Sequence, residues 1–389
     1  MYNYNELKVI NPSFDSKLTS LILELDYLRK KEIKLDVPPV LFMELKEIFH
    51  LFESIGSLRI EGNRTTVFDY IESKVENKKK QNIIEIENNE KALLFIEENI
   101  SNLKIDRAFL SQLHKILMEN LGYPPMYEGS RNPGEYRKIN VKISGSNFLP
   151  PDIATVTLYM EELFEFINRD DLPQYDLIKV AIAHHRFAWI HPFDNGNGRM
   201  ARLLTYAMLL KYGFMKSIKT RILNPTAVFC NNRQKYYEML NKADNGEESN
   251  LILWSEYMLE GIKNEIEKID RLSQYDYLAG YILKPLIKKG YEKNHLDSEE
   301  YKILSYTIDK RIIKAEDIKK ILSLGAGMSD SVKTSRIAKR LLEKGFIRKE
   351  SENSRKYALS LSNKFFLKIL SEIFEEKGFI SKFLTRSEE

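Results

Sequence analysis

His191-Pro192-Phe193-Asp194-Asn195-Gly196-Asn197-Gly198-Arg199-Met200-Ala201-Arg202 is the stretch on which the reading of this chain turns. Before it, residues 177–190 form an almost unbroken apolar helical pattern; after it, residues 200–210 form another, stopped by Gly213. The stretch is therefore a loop between two buried helices. Its imidazole, amides and guanidiniums must line a cavity or stay unpaired. Gly196-Asn197-Gly198 lets successive backbone N–H groups turn toward one point, and the helix that follows adds the positive end of its dipole. That is an anion nest sized for a phosphate. Arg199 and Arg202, three residues apart, fall on one face of that helix, where guanidinium forks clamp neighbouring phosphate oxygens. His191 closes the preceding helix across the loop. With an ordinary pKa near ~6.5, it suits removal of a proton from a hydroxyl nucleophile.

These residues resemble the signature of the Fic family, His-x-Phe-x-(Asp/Glu)-Gly-Asn-Gly-Arg-x-x-Arg, at every fixed position except Asn195. The resemblance implies transfer of AMP from ATP to a Ser, Thr or Tyr hydroxyl of a target protein, with release of pyrophosphate. It makes His191 the general base, lets Gly196, Asn197, Gly198 and Arg199 hold the phosphates, and brings Arg202 to the γ-phosphate. Asn195 stands where the family usually carries the acid that ligates Mg²⁺ (or Mn²⁺). One neutral carbonyl oxygen is a poor substitute, since hard cations favour carboxylates. Either Asn195 suffices as metal ligand beside the triphosphate and water, or metal dependence is altered. A histidine cap and two structural ion pairs would explain single residues of the stretch but not its whole spacing.

At 389 residues the chain has room for two or three domains. Its 43% hydrophobic and 30% charged residues describe an ordinary globular protein. The net charge of +4, from 60 basic and 56 acidic residues, is too small to call for nucleic acid or a membrane. The single cysteine, Cys230, leaves no intramolecular disulfide and fits a reducing compartment, so a cytoplasmic location is expected. The first residues lack the basic and apolar regions of a signal peptide. Apolar runs stay short of the ~18 residues a membrane helix needs, and no membrane partner is expected.

Upstream of the signature, residues 13–31 and 41–55 carry helical spacing, interrupted by Pro38-Pro39. The second pattern runs into Ser57-Leu58-Arg59-Ile60-Glu61-Gly62-Asn63, which by itself is only a helix end with Gly62 or Asn63 beyond it. It also resembles the inhibitory motif of Fic proteins, (Ser/Thr)-x-x-x-Glu-(Gly/Asn). That resemblance makes Glu61 the partner of Arg202, occupying the space the γ-phosphate needs. Further helices are expected at 67–74, 88–100 and 105–121.

Residues 122–151 change character, being rich in proline and glycine, and residues 136–144 alternate as a short strand or hairpin. In the Fic family this place holds a β-hairpin flap that aligns the target segment by backbone pairing. Val141, Lys142, Ile143 and Ser144 would be its working edge, touching nucleotide and target. Helices at 152–168 and 174–190 follow. His184 and His185 face different sides of the second and read as packing residues. Beyond the signature, a helix at 231–243 carries Tyr236 and Tyr237 and is followed by Asp244. These three resemble the adenosine-contacting segment of Fic enzymes, where aromatic faces stack on a purine and polar tips bind its edge. Residues 251–272 form a long closing helix.

Residues 292–298 are polar and read as a linker. Helices at 299–308, 314–322 and 329–344, then strand, turn and strand across 346–361, resemble a winged helix-turn-helix. Between residues 333 and 356 there are nine basic residues against three acidic. Winged helices place such a face, here Lys333, Arg336 and Lys339, on DNA phosphates, or use it to dock protein. Residues 365–383 form a last helix packing back on the chain.

The expected protein is mainly α-helical: an N-terminal helical segment with the inhibitory motif (1–85), a Fic core with a β-hairpin flap (86–275), a winged helix-turn-helix (290–365) and a helical tail (366–389). The implied function is self-inhibited AMP transfer from ATP to a target protein, or to the protein itself. Two alternatives remain open. Glu61 would orient water, so that AMP is also removed; or Asn195 has disabled the metal site, and a nucleotide-sensing core serves a DNA- or partner-binding regulator. A homodimer is compatible with either.

Overall fold

The computed structural model describes residues 7–33, 36–76, 80–124, 126–143, 148–214, 221–325 and 327–386. Helices dominate: α1 (Lys17–Lys30), α2 (Pro39–Ile60), α3 (Val67–Glu76), α4 (Gln81–Asn99), α5 (Arg107–Leu117), α6 (Ile153–Asn168), α7 (Asp176–Ile190), α8 (Asn197–Lys211), the single turn α9 (Ala227–Cys230), α10 (Arg233–Ala243) and α11 (Glu248–Asp270). Then come α12 (Tyr275–Leu278), a π turn over Ala279–Leu283, α13 (Lys284–Glu292), α14 (Ser298–Lys310), β1 (Ile312–Lys314), α15 (Ala315–Ile321), α16 (Met328–Glu343), β2 (Ile347–Lys349), β3 (Lys356–Leu359) and α17 (Lys364–Glu376).

Two apolar cores divide the molecule. The first gathers α1, α5, α6, α7, α8, α10, α11 and the second half of α4. In it α7 and α8 pack side by side, presenting the loop between them at one edge. The helices start where caps satisfy their first N–H groups: Asp106 accepts from Phe109 N at 2.9 Å, and Ser16 from Thr19 N at 3.2 Å. The second core gathers α2, α3, α12 to α17 and the sheet. Its three strands run antiparallel in the order β1-β3-β2, with Ile312 opposite Ala358 and Ile347 opposite Leu359.

Helix α2 lies between the two. Every residue from 48 to 60 is buried, so the helix has no solvent face for a polar stripe. Its polar side chains are satisfied inside instead. Lys46 Nζ and His50 Nε2 meet the Glu97 carboxylate at 2.8 and 3.1 Å, and Tyr206 donates to the same carboxylate from α8. Glu44 accepts from Leu361 N and Ser360 Oγ in the second core. Glu53 accepts from the Thr226 backbone and hydroxyl, and burial pushes its carboxyl up to about 8. On the apolar side, the Phe374 ring of α17 packs 5.4 Å from Phe49 and 5.9 Å from Phe52.

Three expectations are corrected. Among the described residues no strand forms in 126–143 or 148–151, so the flap hairpin is absent there. The backbone instead pairs across to the signature: Arg137 N donates to Pro192 O at 2.8 Å, and the Arg137 guanidinium collects the carbonyls of Ile139, Pro151 and His191. The expected linker at 292–298 is a tight turn that buries Leu296 and ends in a capping box between Asp297 and Glu300. The stretch before it, α12 to α13, belongs to the second core, and the boundary drawn at residue 85 falls inside α4. No helix among the described residues is long and apolar enough to cross a membrane.

Phe374→Ala removes a ring that is fully buried between α2 and α17. The substitution is expected to lower the unfolding free energy by about 3–5 kcal/mol, read from the shift of a denaturant titration.

Candidate active site

His191 is the last word of α7. It takes the left-handed conformation, φ 53° and ψ 57°, while its N–H still donates to Phe187 O at 3.1 Å. A non-glycine residue pays for this backbone, and the conformation swings the imidazole off the helix axis. Nδ1 lies 3.3 Å from Ala188 O, which can only accept; Nδ1 therefore carries the proton, and Nε2 holds the lone pair. Burial pushes the imidazole down to about 4, against a smaller upward pull from Glu61. At neutral pH it is an uncharged base.

The loop after it is braced from inside. Asn197 Oδ1 accepts from Phe193 N and Asn197 Nδ2 donates to Phe193 O, both at 2.9 Å. The Asn197 side chain is thus a strut of the loop, engaged through both its oxygen and its nitrogen. His114, from α5, stacks on Phe193 at 3.9 Å, takes a hydrogen bond from Gly134 N and donates from Nε2 to Asn195 O at 3.1 Å. Gly196 sits at φ 76°, and a Cβ there would meet Met118 Cε at 2.2 Å. The loop needs glycine at that position for both reasons.

Gly198 opens on Glu61. A Cβ at Gly198 would lie 2.0 Å from Glu61 Oε1, so the carboxylate rests directly over the start of α8. The same oxygen accepts from Arg202 Nη2 at 2.7 Å. Arg202 is buried and also donates from Nε to Ser57 Oγ and from Nη2 to Ser57 O, each at 2.8 Å. Burial pushes the Glu61 carboxyl up, but Arg202, with Arg199 and His191, outweighs it and holds the group below the usual carboxylate range. The Arg202 guanidinium is raised in turn: Glu61 overcomes its desolvation. The sequence motif and the signature, 141 residues apart, meet here.

Several donors remain for an anion. Among the described residues, Nε and Nη1 of Arg199 and Nη1 of Arg202 are buried without a hydrogen-bond partner. Arg199 Nη2 donates to Glu128 O at 3.0 Å. A cavity of about 690 Å³ opens beside Arg199, walled also by Glu61, Glu128, Glu85, Asn63 and Lys80. Buried guanidinium N–H groups left open beside a cavity mark where phosphate oxygens would complete the set.

Asn195 does not offer the oxygen expected of a metal ligand. Its Oδ1 accepts from Gly196 N at 2.7 Å, and its Nδ2 donates to Glu128 Oε2 at 3.0 Å. Asp194 turns outward, accepting from Arg131 N at 3.1 Å. No cluster of three His, Cys, Asp or Glu side chains suited to a metal occurs among the described residues. Asn195 offers one neutral side-chain oxygen, already accepting from Gly196 N, in place of the carboxylate a hard divalent cation favours.

The other expected residues are distributed differently. Val141, Lys142 and Ile143 lie in irregular chain after the Arg137 turn, and Ser144 lies outside the described residues. Tyr236 is buried, its hydroxyl 2.9 Å from His184 Nε2, while His184 Nδ1 meets Thr205 Oγ1 at 2.7 Å. Asp244 is engaged by His185 Nε2 at 3.0 Å. Tyr236 and Asp244 therefore tie α10 to α7, which explains the adjacent histidines as packing residues. Tyr237 keeps an exposed ring face and donates to Ile60 O at 3.1 Å. Arg137 and His114 escaped the sequence reading, because a lone arginine in a loop and a lone histidine on an amphipathic helix carry no spacing signal.

Residues 104–209 match the model of the Fic/DOC family. Residues 104–209 therefore form a Fic/DOC domain. Curated relatives named protein adenylyltransferase Fic include one from Culex quinquefasciatus, 28% identical over 267 residues, covering 63% of this chain and 50% of the relative. Another, from Aedes aegypti, is 28% identical over 206 residues, covering 51% of this chain and 38% of the relative. The chain thus spans half or less of the length of these relatives. Among solved structures, a Fic family protein from Desulfovibrio desulfuricans G20 is similar with a TM-score of 0.53, over 92% of this chain and 98% of that one, at 20% identity. A Fic domain containing signaling protein from Bacteroides thetaiotaomicron gives a TM-score of 0.51, over 67% of this chain and 97% of that one, at 18% identity. These two likenesses concern the fold, and the first extends it over nearly the whole chain.

The depressed His191 pKa has a readable consequence. Between about pH 6.5 and about 4 the unfolded chain binds this proton and the folded chain does not, so His191 makes stability fall as pH drops through that window. In the folded protein an NMR titration of the His191 ring is expected to show no inflection near 6.5 and an approach to protonation only near 4.

Proposed function

We propose that this protein is a protein adenylyltransferase restrained by its own inhibitory helix, with ATP as nucleotide donor and a Ser, Thr or Tyr hydroxyl as acceptor. The observation that carries the reading is the Glu61 carboxylate lying over Gly198 and bonded to Arg202, where a triphosphate would need both. A carboxylate in an anion nest is a stand-in for phosphate. In the open state, the acceptor hydroxyl gives its proton to His191 Nε2 as its oxygen bonds to the α-phosphorus. The bond from that phosphorus to the bridging oxygen breaks, and pyrophosphate leaves with the electron pair. The Gly196–Gly198 backbone and Arg199 face the charge that develops on the phosphates, and Arg202 takes the γ-phosphate once Glu61 withdraws. Mg²⁺ or Mn²⁺ would accompany the nucleotide, held chiefly by its phosphates.

Transfer of α-phosphate label from ATP to protein tests this reading. Glu61→Gly is expected to raise labelling more than about tenfold, the effect of a change of ~1.4 kcal/mol in nucleotide binding. His191→Ala in that background is expected to cut it by roughly 10²–10⁴, with γ-labelled ATP giving none throughout. Equal labelling with and without Glu61 would refute the inhibitory role.

The elements α14 to β3 follow the helix, strand, helix, helix, strand, strand order of a winged helix, and α16 presents Lys333, Arg336 and Lys339 outward. We infer that this face binds nucleic-acid phosphates. Affinity for duplex DNA should fall with salt, and the triple substitution to alanine should reduce the slope of that dependence by about 3. Binding that ignores both would exclude it.

A further inference from the structure

Glu61 owes its aim to the end of α2, and that end is gripped from an unexpected direction. Arg59, two residues before Glu61, is buried. Its Nη1 donates to Arg64 O at 2.8 Å, closing the turn that carries Glu61. Its Nη2 donates to Arg386 O at 2.9 Å, in the segment that follows α17, and its guanidinium lies 4.6 Å from the centre of the Phe383 ring. One helical turn earlier, Gly56 lets a neighbour come close. A Cβ there would meet Cys230 Sγ at 2.6 Å and Leu384 Cδ2 at 3.5 Å. The gripping segment is itself anchored: Phe379, Ile380 and Leu384 are buried, Thr385 bonds to Glu375, and Arg386 Nη2 meets Glu375 at 2.9 Å. Helix α17, which carries Glu375, already holds the middle of α2 through Phe374.

We propose that Arg59 and residues 379–386 form a clasp that positions Glu61, so that the grip of the post-α17 segment on α2 sets how firmly the inhibitory carboxylate excludes the γ-phosphate. The clasp touches neither His191 nor the nest. It acts on the end of α2 and the turn at 61–64, through the carbonyls of Arg64 and Arg386 that one planar guanidinium bridges. Releasing it leaves the catalytic groups in place and costs Glu61 its fixed approach to Arg202. Arg59 is thus a positioning residue, and the second core acquires a route to the site that passes through α2. This inference rests on the inhibitory role proposed for Glu61.

Full-length Arg59→Ala, Arg59→Lys and Phe383→Ala, each alone and combined with Glu61→Gly, test it. AMP transfer, ATP affinity and thermal midpoint are measured for all. With Glu61 present, Arg59→Ala and Phe383→Ala are expected to tighten ATP binding and raise transfer at low ATP about fivefold, the effect of ~1 kcal/mol, with little change in the maximal rate. Arg59→Lys should fall between these and the parent. In the Glu61→Gly background the same changes should add nothing, since the group they position is gone. A rise with Glu61→Gly but none with the clasp variants would overturn the clasp and leave the inhibitory reading standing. Equal losses in both backgrounds would show ordinary structural damage and overturn it too. No rise with Glu61→Gly itself would remove the inhibitory reading, and the clasp with it.

Discussion

The charge on Arg202 is the constraint around which the site is built. A guanidinium so deeply buried must be compensated, and removing one partner of such a pair typically costs ~3–5 kcal/mol. Ser57 supplies two neutral acceptors, and Glu61 supplies the negative charge. Glu53, the other carboxyl near Arg202, is pushed up to about 8 by burial and is engaged by Thr226, so it does not serve as the counter-charge at neutral pH. Among the described residues Arg202 therefore has one anionic partner. On the inhibitory role proposed for Glu61, a nucleotide phosphate that reaches Arg202 would take over from that carboxylate as its counter-charge.

That exchange explains why the site combines a rigid half with a movable one. The rigid half is the signature loop, strutted by Asn197, stacked by His114 and tied to the preceding loop by Arg137. The movable half is a single carboxylate at the tip of a helix that belongs mostly to the other core. The base is neutral and the loop backbone is fixed, while the Glu61 carboxylate fills the nest. Only the occupant of the nest has to change.

Legibility followed spacing. The signature and Glu61 could be read because each has a fixed pattern, and the ion pair joining them is a contact the motifs jointly specify. The helices with clear caps or strong periodicity, such as α5 and α7, were equally visible. The alternation over residues 136–144 encodes only extended chain; in its described part, 136–143, the Arg137 guanidinium reaches the carbonyl of His191 and no strand forms. Tyr236 and Asp244 looked like ligand contacts because aromatic and acidic side chains serve both tasks, and only their partners, His184 and His185, decide between them. For α2 the spacing shows the apolar face only, since its second buried face consists of polar residues whose partners lie far away in sequence.

Helix α2 has no face to spare, and that would limit how the inhibition proposed for Glu61 is lifted. Amide hydrogens in a segment shared by two cores exchange with solvent mainly through large-scale opening, because no small cooperative unit contains the helix alone. Local melting, the common way to withdraw an inhibitory element, would break both cores at once. The carboxylate must instead be moved by a rotamer change or by a small rigid shift of α2 against α8. An activating ligand then needs enough preference for the shifted packing to pay for it.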